Sequence, residues 1–202
     1  MVVVMRIGID IDDTITNIKD KLTNAAIEYA KNLNKEVKNT DYNIVDIYNN
    51  GNIYQKLFNF NYEELKYFLG TIQEEITNNA IPRENCAEVI NKLHNDGNEI
   101  YIVTARDNEF HKDPYLQSKK WLEKHQIYYD KLIVNARDKG KACIENNIDL
   151  LIDDSISNCL KVNNLGIASI TIGSKNDKEI KNFDNWLEIY EYIKNHNIIK
   201  II

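Results

Sequence analysis

The sequence of 202 residues predicts an α/β fold, with helices on both faces of a parallel sheet and a helical segment inserted after the first strand. Three observations predict this fold. Apolar, β-branched runs alternate five times with helical patterns. Several of these runs end in acidic or hydroxyl residues, and one interval near the amino terminus has helical patterns without a convincing strand. The length suits one domain, or one domain with an insertion.

The predicted strands are continuous apolar runs, which are typical of strands buried on both faces of a parallel sheet. The first, "VVVMRIGID", ends in Asp10, and the second, "NEIYIVTA", ends in Thr104 and Ala105. Because both faces of such strands are apolar, each face needs a covering layer of helices. The predicted ranges are 2–10, 98–105, 129–135, 148–154 and 166–172.

Helical patterns follow or separate these strands and complete the alternation. Gly97 and Gly166 lie where a helix would end before the next strand begins, a position that favours glycine. Strands that alternate with helices in this way indicate a parallel sheet with helices on both faces. The predicted helices cover residues 83–97, 114–126, 139–147, 155–166 and 185–196.

The interval between Asp13 and Pro82 breaks the alternation. Its strongest patterns are helical, over residues 17–33 and 61–76. We interpret it as a helical cap inserted directly after an acidic loop. The predicted domains are therefore an α/β core and a helical cap; the core covers residues 1–15 and 80–202, and the cap covers residues 16–79.

The cap is rich in aromatic residues, and two interpretations stay open. The rings can fill the core of a small helical cap, or one or two of them can stack on a substrate base. They are Tyr42, Tyr48, Tyr54, Phe58, Phe60, Tyr62, Tyr67 and Phe68. We expect the Asn-rich stretches "NKEVKNTDYN" and "NNGN" to form exposed turns, and the carboxy-terminal "IIKII" to end the fold as a packed strand or helix end, with a homodimer contact left open.

The composition argues against several functional classes. With 25 basic and 31 acidic side chains, the net charge of −6 disfavours binding to a nucleic acid polymer or an anionic membrane. No apolar stretch approaches the roughly 20 residues of a spanning helix, and "MVVVM" is too short for a signal peptide. Cys86, Cys143 and Cys159 form no CxxC pair, which favours free thiols in the cytoplasm over a zinc site.

Polar side chains gather at the predicted carboxyl ends of four strands, which is where open α/β sheets bind their ligands. We call this edge of the sheet the rim. It combines acids from two strands, a hydroxyl from another and nearby lysines. The rim residues are Asp10, Asp12, Asp13, Thr14, Thr104, Ala105, Arg106, Lys139, Lys141, Asp153, Asp154 and Ser155.

This set of side chains indicates phosphoryl transfer. Carboxylates from two strands suggest a shared hard cation, and Mg²⁺ binds one or two carboxylates, several waters and substrate phosphate oxygens. Hydroxyl groups, backbone amides and an ammonium group suit a phosphate dianion. In such chemistry one carboxylate can be a nucleophile that forms an aspartyl phosphate, and a second can transfer protons.

The motifs at these strand ends resemble those of the haloacid dehalogenase (HAD) phosphatase superfamily. "DIDDT" resembles its D-x-D-x-T motif, "YIVTAR" its second motif, Lys139 its third and "LLIDDS" its acidic fourth. The resemblance spans residues 6 to 160 and implies a Rossmann-like core with a C1-type helical cap. The stretch "DKGKACIENNIDLLIDDSISNC" is more narrowly similar to cytosolic type C 5'(3')-deoxyribonucleotidases and related bacterial nucleotidases.

The resemblance implies catalytic and metal-binding roles for the acids. Asp10 would be the nucleophile and a Mg²⁺ ligand. Asp12 would be the general acid and base, with its backbone carbonyl on the metal. Asp154 would bind the metal directly and Asp153 would be a ligand or support one, although the sequence does not order this pair. Thr14 would hold the acidic loop, whereas we expect the neighbouring Asp13 to be an ordinary residue.

The resemblance also implies a phosphate-binding set. Thr104 and the amide of Ala105 would bind the transferring phosphoryl group, and Lys139 would neutralise both this group and the nucleophile. Lys141 lies two residues further along and stays open as an alternative to Lys139. The expected reaction is Mg²⁺-dependent hydrolysis of a small phosphomonoester, and the resemblance points to nucleoside monophosphates.

Other functions compete with this one. An EF-hand loop that began at Asp10 would need Gly and Glu where the chain has Ile15 and Lys21. A signalling receiver domain also gathers acids, Thr and Lys at strand ends, but its phosphoacceptor follows a middle strand and it lacks a cap. A non-catalytic binding domain would not need both Asp10 and Asp12. A phosphatase for sugar phosphates shares all of these motifs, because the cap rather than the fold sets the substrate.

Overall fold

The computed structural model describes residues 4–37, 53–173 and 177–195. Its centre is a six-stranded parallel sheet in the order β3-β2-β1-β4-β5-β6. The direction of winding changes between β1 and β4, so their carboxyl ends form the switch point at which such sheets bind ligands. The strands are β1 (Arg6–Ile9), β2 (Glu99–Val103), β3 (Lys131–Ile133), β4 (Leu150–Ile152), β5 (Ala168–Ile172) and β6 (Lys181–Phe183).

Helices cover both faces of the sheet, as predicted. Ile7 and Ile9 of β1 point into the larger apolar cluster with residues of α5, α6 and α9, whereas Leu151 of β4 packs on the other face with residues of α7 and α8. This division follows from the two-residue period of a strand. The helices are α1 (Lys19–Asn32), α2 (Ile53–Phe58), α3 (Tyr62–Tyr67), α4 (Glu74–Asn78), α5 (Cys86–Asn95), α6 (Pro114–Lys124), α7 (Lys139–Glu145), α8 (Ile156–Asn163) and α9 (Trp186–Asn195).

Two elements were absent from the sequence prediction. β6 has three residues and only Phe183 among them is buried, so its pattern is too short to stand out. Helix α2 has six residues and ends in the buried pair Leu57 and Phe58. The observed strands are also shorter than predicted, because several predicted runs include the polar residues that follow each strand.

The predicted helix over residues 61–76 is interrupted. It consists of α3, a π-helical segment over Phe68–Gln73 and α4. Within this segment Gly70 lies so close to the next part of the chain that an added Cβ would be 2.5 Å from the carbonyl oxygen of Phe110. The predicted helical pattern is therefore present, but the sequence did not predict the change to π-helical geometry where Gly70 approaches the loop after β2.

The inserted helices have an apolar cluster of their own. Ala26 and Ala30 of α1 pack with buried residues of α2, α3 and the π-helical segment, and Phe110 packs against the cluster from the loop after β2. The aromatic rings Phe58, Phe60 and Phe68 are buried there, which supports the interpretation that most of the rings form the cap core. The division into a core and a cap of residues 16–79 stays a prediction.

Some sequence predictions fall outside the described residues. These are Tyr42 and Tyr48, most of the two Asn-rich stretches, and "IIKII". In the ranges that the structure describes, none of the helices is long and apolar enough to cross a bilayer. Cys86, Cys143 and Cys159 are buried free thiols, as predicted.

Candidate active site

Three buried polar residues of the rim directly follow β1, β2 and β4. The amide of Asp10 donates to the carbonyl of Ile152 at 3.0 Å, and the amide of Asp153 donates to Ile170 at 3.2 Å. Each residue therefore extends the strand hydrogen bonding by one step, which fixes its backbone. Thr104 is held in the same way by β3, through a 2.9 Å bond to Ile133. The predicted convergence of Asp10, Thr104 and Asp153 at one edge of the sheet is present.

Lys139 is the lysine that reaches this group. It is the first residue of α7, its exposed fraction is 4%, and its Nζ lies 2.5 Å from Oδ1 of Asp10. The same Nζ donates to the carbonyl of Val103 and lies 3.7 Å from Asp153. The Lys141 side chain is 70% exposed and pairs with Glu145 on the helix surface. Of the two candidate lysines, geometry brings Lys139 to the acids.

One lysine does not balance the acids that surround it. Burial, together with the neighbouring Asp153 and Asp12, raises the pKa of Asp10 to about 7, although Lys139 opposes the shift. Burial and the charges of Asp153 and Asp10 raise the pKa of Asp154 well above its ordinary value. Burial by itself lowers the pKa of Lys139, but Asp10 and Asp153 outweigh it and raise this pKa. The rim therefore carries an excess of negative charge that a bound cation would compensate.

The acidic loop after β1 is fastened to the loop after β4 by Thr14. Its hydroxyl oxygen accepts a hydrogen bond from the amide of Asp154 at 2.9 Å and lies 3.5 Å from a carboxylate oxygen of the same residue. Thr14 is fully buried. The bond links the loops that follow two neighbouring strands, so Thr14 holds the two acidic loops together.

Asp13 has a different task from its neighbours. Its backbone is left-handed, with φ of 66°, and its Oδ1 accepts hydrogen bonds from the amides of Ile18 at 2.9 Å and Lys19 at 2.7 Å. Arg83 donates to its carbonyl at 2.8 Å. Asp13 thus satisfies free amides at the start of α1 and turns the chain from the rim into the inserted helices.

Asp12 has a partner that the sequence did not assign to it. Arg106 donates from Nε and Nη2 to the two carboxylate oxygens of Asp12, at 2.8 and 2.7 Å. Burial alone would raise the pKa of Asp12, but the guanidinium of Arg106 outweighs it and lowers this pKa. Arg106 was recognised only as a polar residue at a strand end. The signal that could have identified its role is its position as a lone arginine beside an excess of acids.

Asp153 is held by residues of the next helix. The amide of Ser155 donates to its Oδ1 at 2.9 Å, and the side-chain amide of Asn158 donates to both carboxylate oxygens, at 3.1 and 3.3 Å. With Lys139 also nearby, the Asp153 carboxylate is enclosed by donors. Asp154 lies beside Thr14 and the acidic loop. The assignment of Asp154 as the direct metal ligand, with Asp153 as a ligand or its support, stays a proposal.

The acids fit a Mg²⁺ ion, although no three acidic, histidine or cysteine side chains in the described ranges form a ready-made metal cluster. Lys139 occupies one oxygen of Asp10 and Arg106 occupies both of Asp12. The ligands that remain for a metal are one or two carboxylates and backbone carbonyls. This sparse set suits an ion that keeps several waters and binds substrate phosphate. The excess negative charge around Asp10 and Asp154 points the same way.

The sequence of this chain matches a known protein family. A family described as "5' nucleotidase, deoxy (Pyrimidine), cytosolic type C protein" matches residues 3–198. The chain belongs to this family. The nucleotidase family thereby places the chain among phosphoric monoester hydrolases of the HAD superfamily, as the motifs predicted. A Bacillus cereus protein named "Putative nucleotidase" is 26% identical over 199 residues, which cover 94% of this chain and 98% of that protein.

Solved structures share the fold of this nucleotidase-family chain. A Clostridium acetobutylicum protein described as a predicted phosphatase has a TM-score of 0.69 and 15% identity, and the match covers 96% of this chain and 100% of that one. A Streptococcus pneumoniae HAD-like hydrolase has a TM-score of 0.66 and 13% identity, over 94% and 98% of the two chains. A Bacillus subtilis HAD hydrolase described as bound to magnesium has a TM-score of 0.61 and 14% identity, over 95% and 99%.

Proposed function

We propose that this protein is a Mg²⁺-dependent nucleotidase that removes phosphate from nucleoside monophosphates through an aspartyl phosphate on Asp10. The observation that carries the proposal is the position of Asp10, a buried carboxylate at the end of the central strand with the Lys139 ammonium 2.5 Å away. A carboxylate fixed beside a cation can accept a phosphoryl group without leaving an unbalanced charge.

The first half-reaction is phosphoryl transfer to the protein. An oxygen of Asp10 attacks phosphorus, the bond from phosphorus to the leaving oxygen breaks, and that oxygen takes a proton from the Asp12 carboxyl group. Thr104, with the adjacent amide of Ala105, would hold the phosphoryl oxygens, and Lys139 would neutralise their charge. Thr104 is buried and directly follows β2, the strand that pairs with β1, which supports this role.

The second half-reaction returns Asp10 to its carboxylate form. The Asp12 carboxylate takes a proton from water, the water oxygen attacks phosphorus, and the bond between phosphorus and Asp10 breaks to release inorganic phosphate. Mg²⁺ held by Asp10, Asp154 and the backbone carbonyl of Asp12 would screen the charge between nucleophile and phosphate. Asp153 would keep Asp154 and Lys139 in place.

The substrate class rests on the family and on the inserted helices. Their segment meets the loop after β2, where Glu74 lies 3.7 Å from His111 and Gly70 contacts Phe110, so it lies beside the rim. Of its described aromatic residues, Tyr62 is about half exposed and its ring centroid lies 6.4 Å from that of Phe110 in this loop, which makes it the candidate for stacking on a base. Base–aromatic stacking contributes about 1–3 kcal/mol. The acidic balance also disfavours di- and triphosphates.

The test is a hydrolysis panel with Mg²⁺. We expect deoxyribonucleoside monophosphates, pyrimidines first, to give higher kcat/KM than ribonucleotides, hexose phosphates, triose phosphates and di- or triphosphates. A mock preparation from cells that lack the gene is the control for contaminating phosphatases. A several-fold preference for sugar phosphates would remove the nucleotide assignment while leaving the phosphatase chemistry in place. Hydrolysis that persists in Asp10→Asn would contradict the nucleophile.

A further inference from the structure

Arg106 is a buried side chain at the rim with several hydrogen bonds, and the mechanism above does not use it. Its guanidinium group donates three hydrogen bonds: two to Asp12 and one, at 3.4 Å, from Nη1 to the hydroxyl of Ser118. Its amide donates to Thr104 at 3.3 Å, and its carbonyl accepts from the amide of Asn135 at 2.8 Å. It is 4% exposed.

The contact with Asp12 is a side-by-side pair that fixes a plane as well as a distance. Two parallel N–H donors meet the two carboxylate oxygens, and this arrangement restricts rotation of the carboxylate. The Asp12 side chain is 22% exposed, whereas that of Arg106 is 2% exposed. One member of the pair is therefore anchored in the protein, and the other can be reached from the rim. Each Asp12 oxygen keeps a lone pair that can accept a proton from water.

We propose that Arg106 is a positioning residue that holds the Asp12 carboxylate in the orientation needed to activate water in the second half-reaction. The inference rests on the proposed function. The geometry favours this role over direct binding of the substrate phosphoryl group, because the guanidinium is only 2% exposed and its Nε–Nη2 edge already binds Asp12. Ser118 on α6 supports the opposite nitrogen and keeps the guanidinium in this plane.

The role predicts a specific kinetic pattern. In Arg106→Lys the positive charge is kept, but an ammonium group cannot donate two parallel bonds to one carboxylate. Phosphoryl transfer to Asp10 should continue, while hydrolysis of the aspartyl phosphate should slow, by up to about 10²-fold if Asp12 shifts by about 1 Å. The phosphorylated protein would then accumulate.

The experiment uses p-nitrophenyl phosphate, whose leaving group departs as a stable anion and needs little help from an acid. With Mg²⁺ and rapid mixing, Arg106→Lys should release a burst of p-nitrophenolate equal to the enzyme concentration, followed by slow turnover. In the steady state kcat and KM should fall together, so that kcat/KM stays close to that of the unmodified protein. Intact mass after an acid quench should show one added phosphoryl group, absent from Asp10→Asn.

Two further variants keep the result interpretable. Ser118→Ala removes the support of the guanidinium and should give a weaker change in the same direction. Arg6→Ala removes a half-exposed arginine that pairs with Glu99 at the opposite end of β1, and it should leave both half-reactions unchanged. Unfolding curves of all variants report any loss of folded protein.

The outcomes separate the alternatives. A parallel fall of kcat and kcat/KM without a burst would assign Arg106 to phosphoryl binding and overturn the inference. Unchanged kinetics in Arg106→Lys and Ser118→Ala would overturn it too. If the unmodified protein hydrolyses neither p-nitrophenyl phosphate nor nucleotides, the proposed function fails, and this result is visible before any variant is compared.

Discussion

Replacement of Lys139 by Ala tests the electrostatic centre of the site. Its Nζ lies 2.5 Å from Asp10 and 3.7 Å from Asp153, and both carboxylates are buried. The substitution removes a positive charge and leaves the two negative charges in place. Because water does not reach them freely, their repulsion is weakly screened.

The expected magnitude follows from this burial. Loss of one partner of a buried ion pair typically costs about 3–5 kcal/mol of unfolding free energy. Part of this cost can be avoided by protonation of Asp10, whose pKa is already about 7. The loss in the metal-free protein should therefore be greater at pH 8 than at pH 6. Catalysis loses a preorganised charge at the phosphoryl group, for which about 10²- to 10³-fold in kcat is typical.

The assay pairs urea unfolding of the metal-free protein at pH 6 and pH 8 with phosphate release under saturating Mg²⁺. Lys141→Ala is the matched control, because it removes the same side chain two residues away on the same helix. The Lys141 side chain is 70% exposed and lies 3.8 Å from Glu145. Such a surface pair contributes about 0.3–0.5 kcal/mol, so this variant should behave almost like the unmodified protein.

Two results would refute the reasoning. If Lys139→Ala lost less than about 1 kcal/mol at both pH values, the buried pair would not carry the charge balance described here. If Lys141→Ala lost more activity than Lys139→Ala, the phosphate-binding role would belong to Lys141. The second result would leave the overall phosphatase assignment intact.

The remaining predictions concern the metal, the acids and pH. Activity should vanish in EDTA and return with Mg²⁺ but poorly with Ca²⁺, whose larger shell misplaces the reactants; full activity in excess chelator would exclude the metal role. Asp10→Asn should abolish turnover with the fold intact, and Asp12→Asn should cost about 10²-fold or more. Asp13→Asn should cost far less, because Asn tolerates a left-handed backbone and its Oδ1 can still accept from α1; equal sensitivity of positions 10 and 13 would refute the motif register. Because the folded pKa of Asp10 is raised from 3.8 to about 7, the metal-free protein binds its proton more tightly than the unfolded chain does. The contribution of protonated Asp10 to the free energy of unfolding should be present below pH 4 and be lost as the pH rises to about 7. Urea unfolding with and without Mg²⁺ should show that the metal diminishes this loss.

Much of the fold could be predicted because it is encoded locally. Apolar runs of β-branched residues, the helical repeats between them, and Gly97 and Gly166 in left-handed positions at two helix ends each depend on a few neighbouring residues. The convergence of Asp10, Thr104 and Asp153 then follows from geometry, since the carboxyl ends of neighbouring parallel strands share one edge of the sheet. Sequence order and strand direction are sufficient for that inference.

The elements that were missed lack a local signal. β6 is recognised by its pairing with β5, not by the pattern of its three residues. The π-helical segment interrupts a good helical pattern where Gly70 meets the carbonyl of Phe110, forty positions further along the chain. In both cases a partner distant in sequence determines the local structure, so the sequence near the element does not reveal it.

The site divides in the same way. By itself the sequence determined which acids end the strands and that a lysine and a threonine accompany them. The tertiary structure decided that Lys139 rather than Lys141 pairs with Asp10, and that Arg106 donates two hydrogen bonds to Asp12. These contacts join residues 129 and 94 positions apart. They depend on which way a helix or loop directs its side chains once it packs on the sheet, and burial then makes each unpaired charge too costly to leave without a partner.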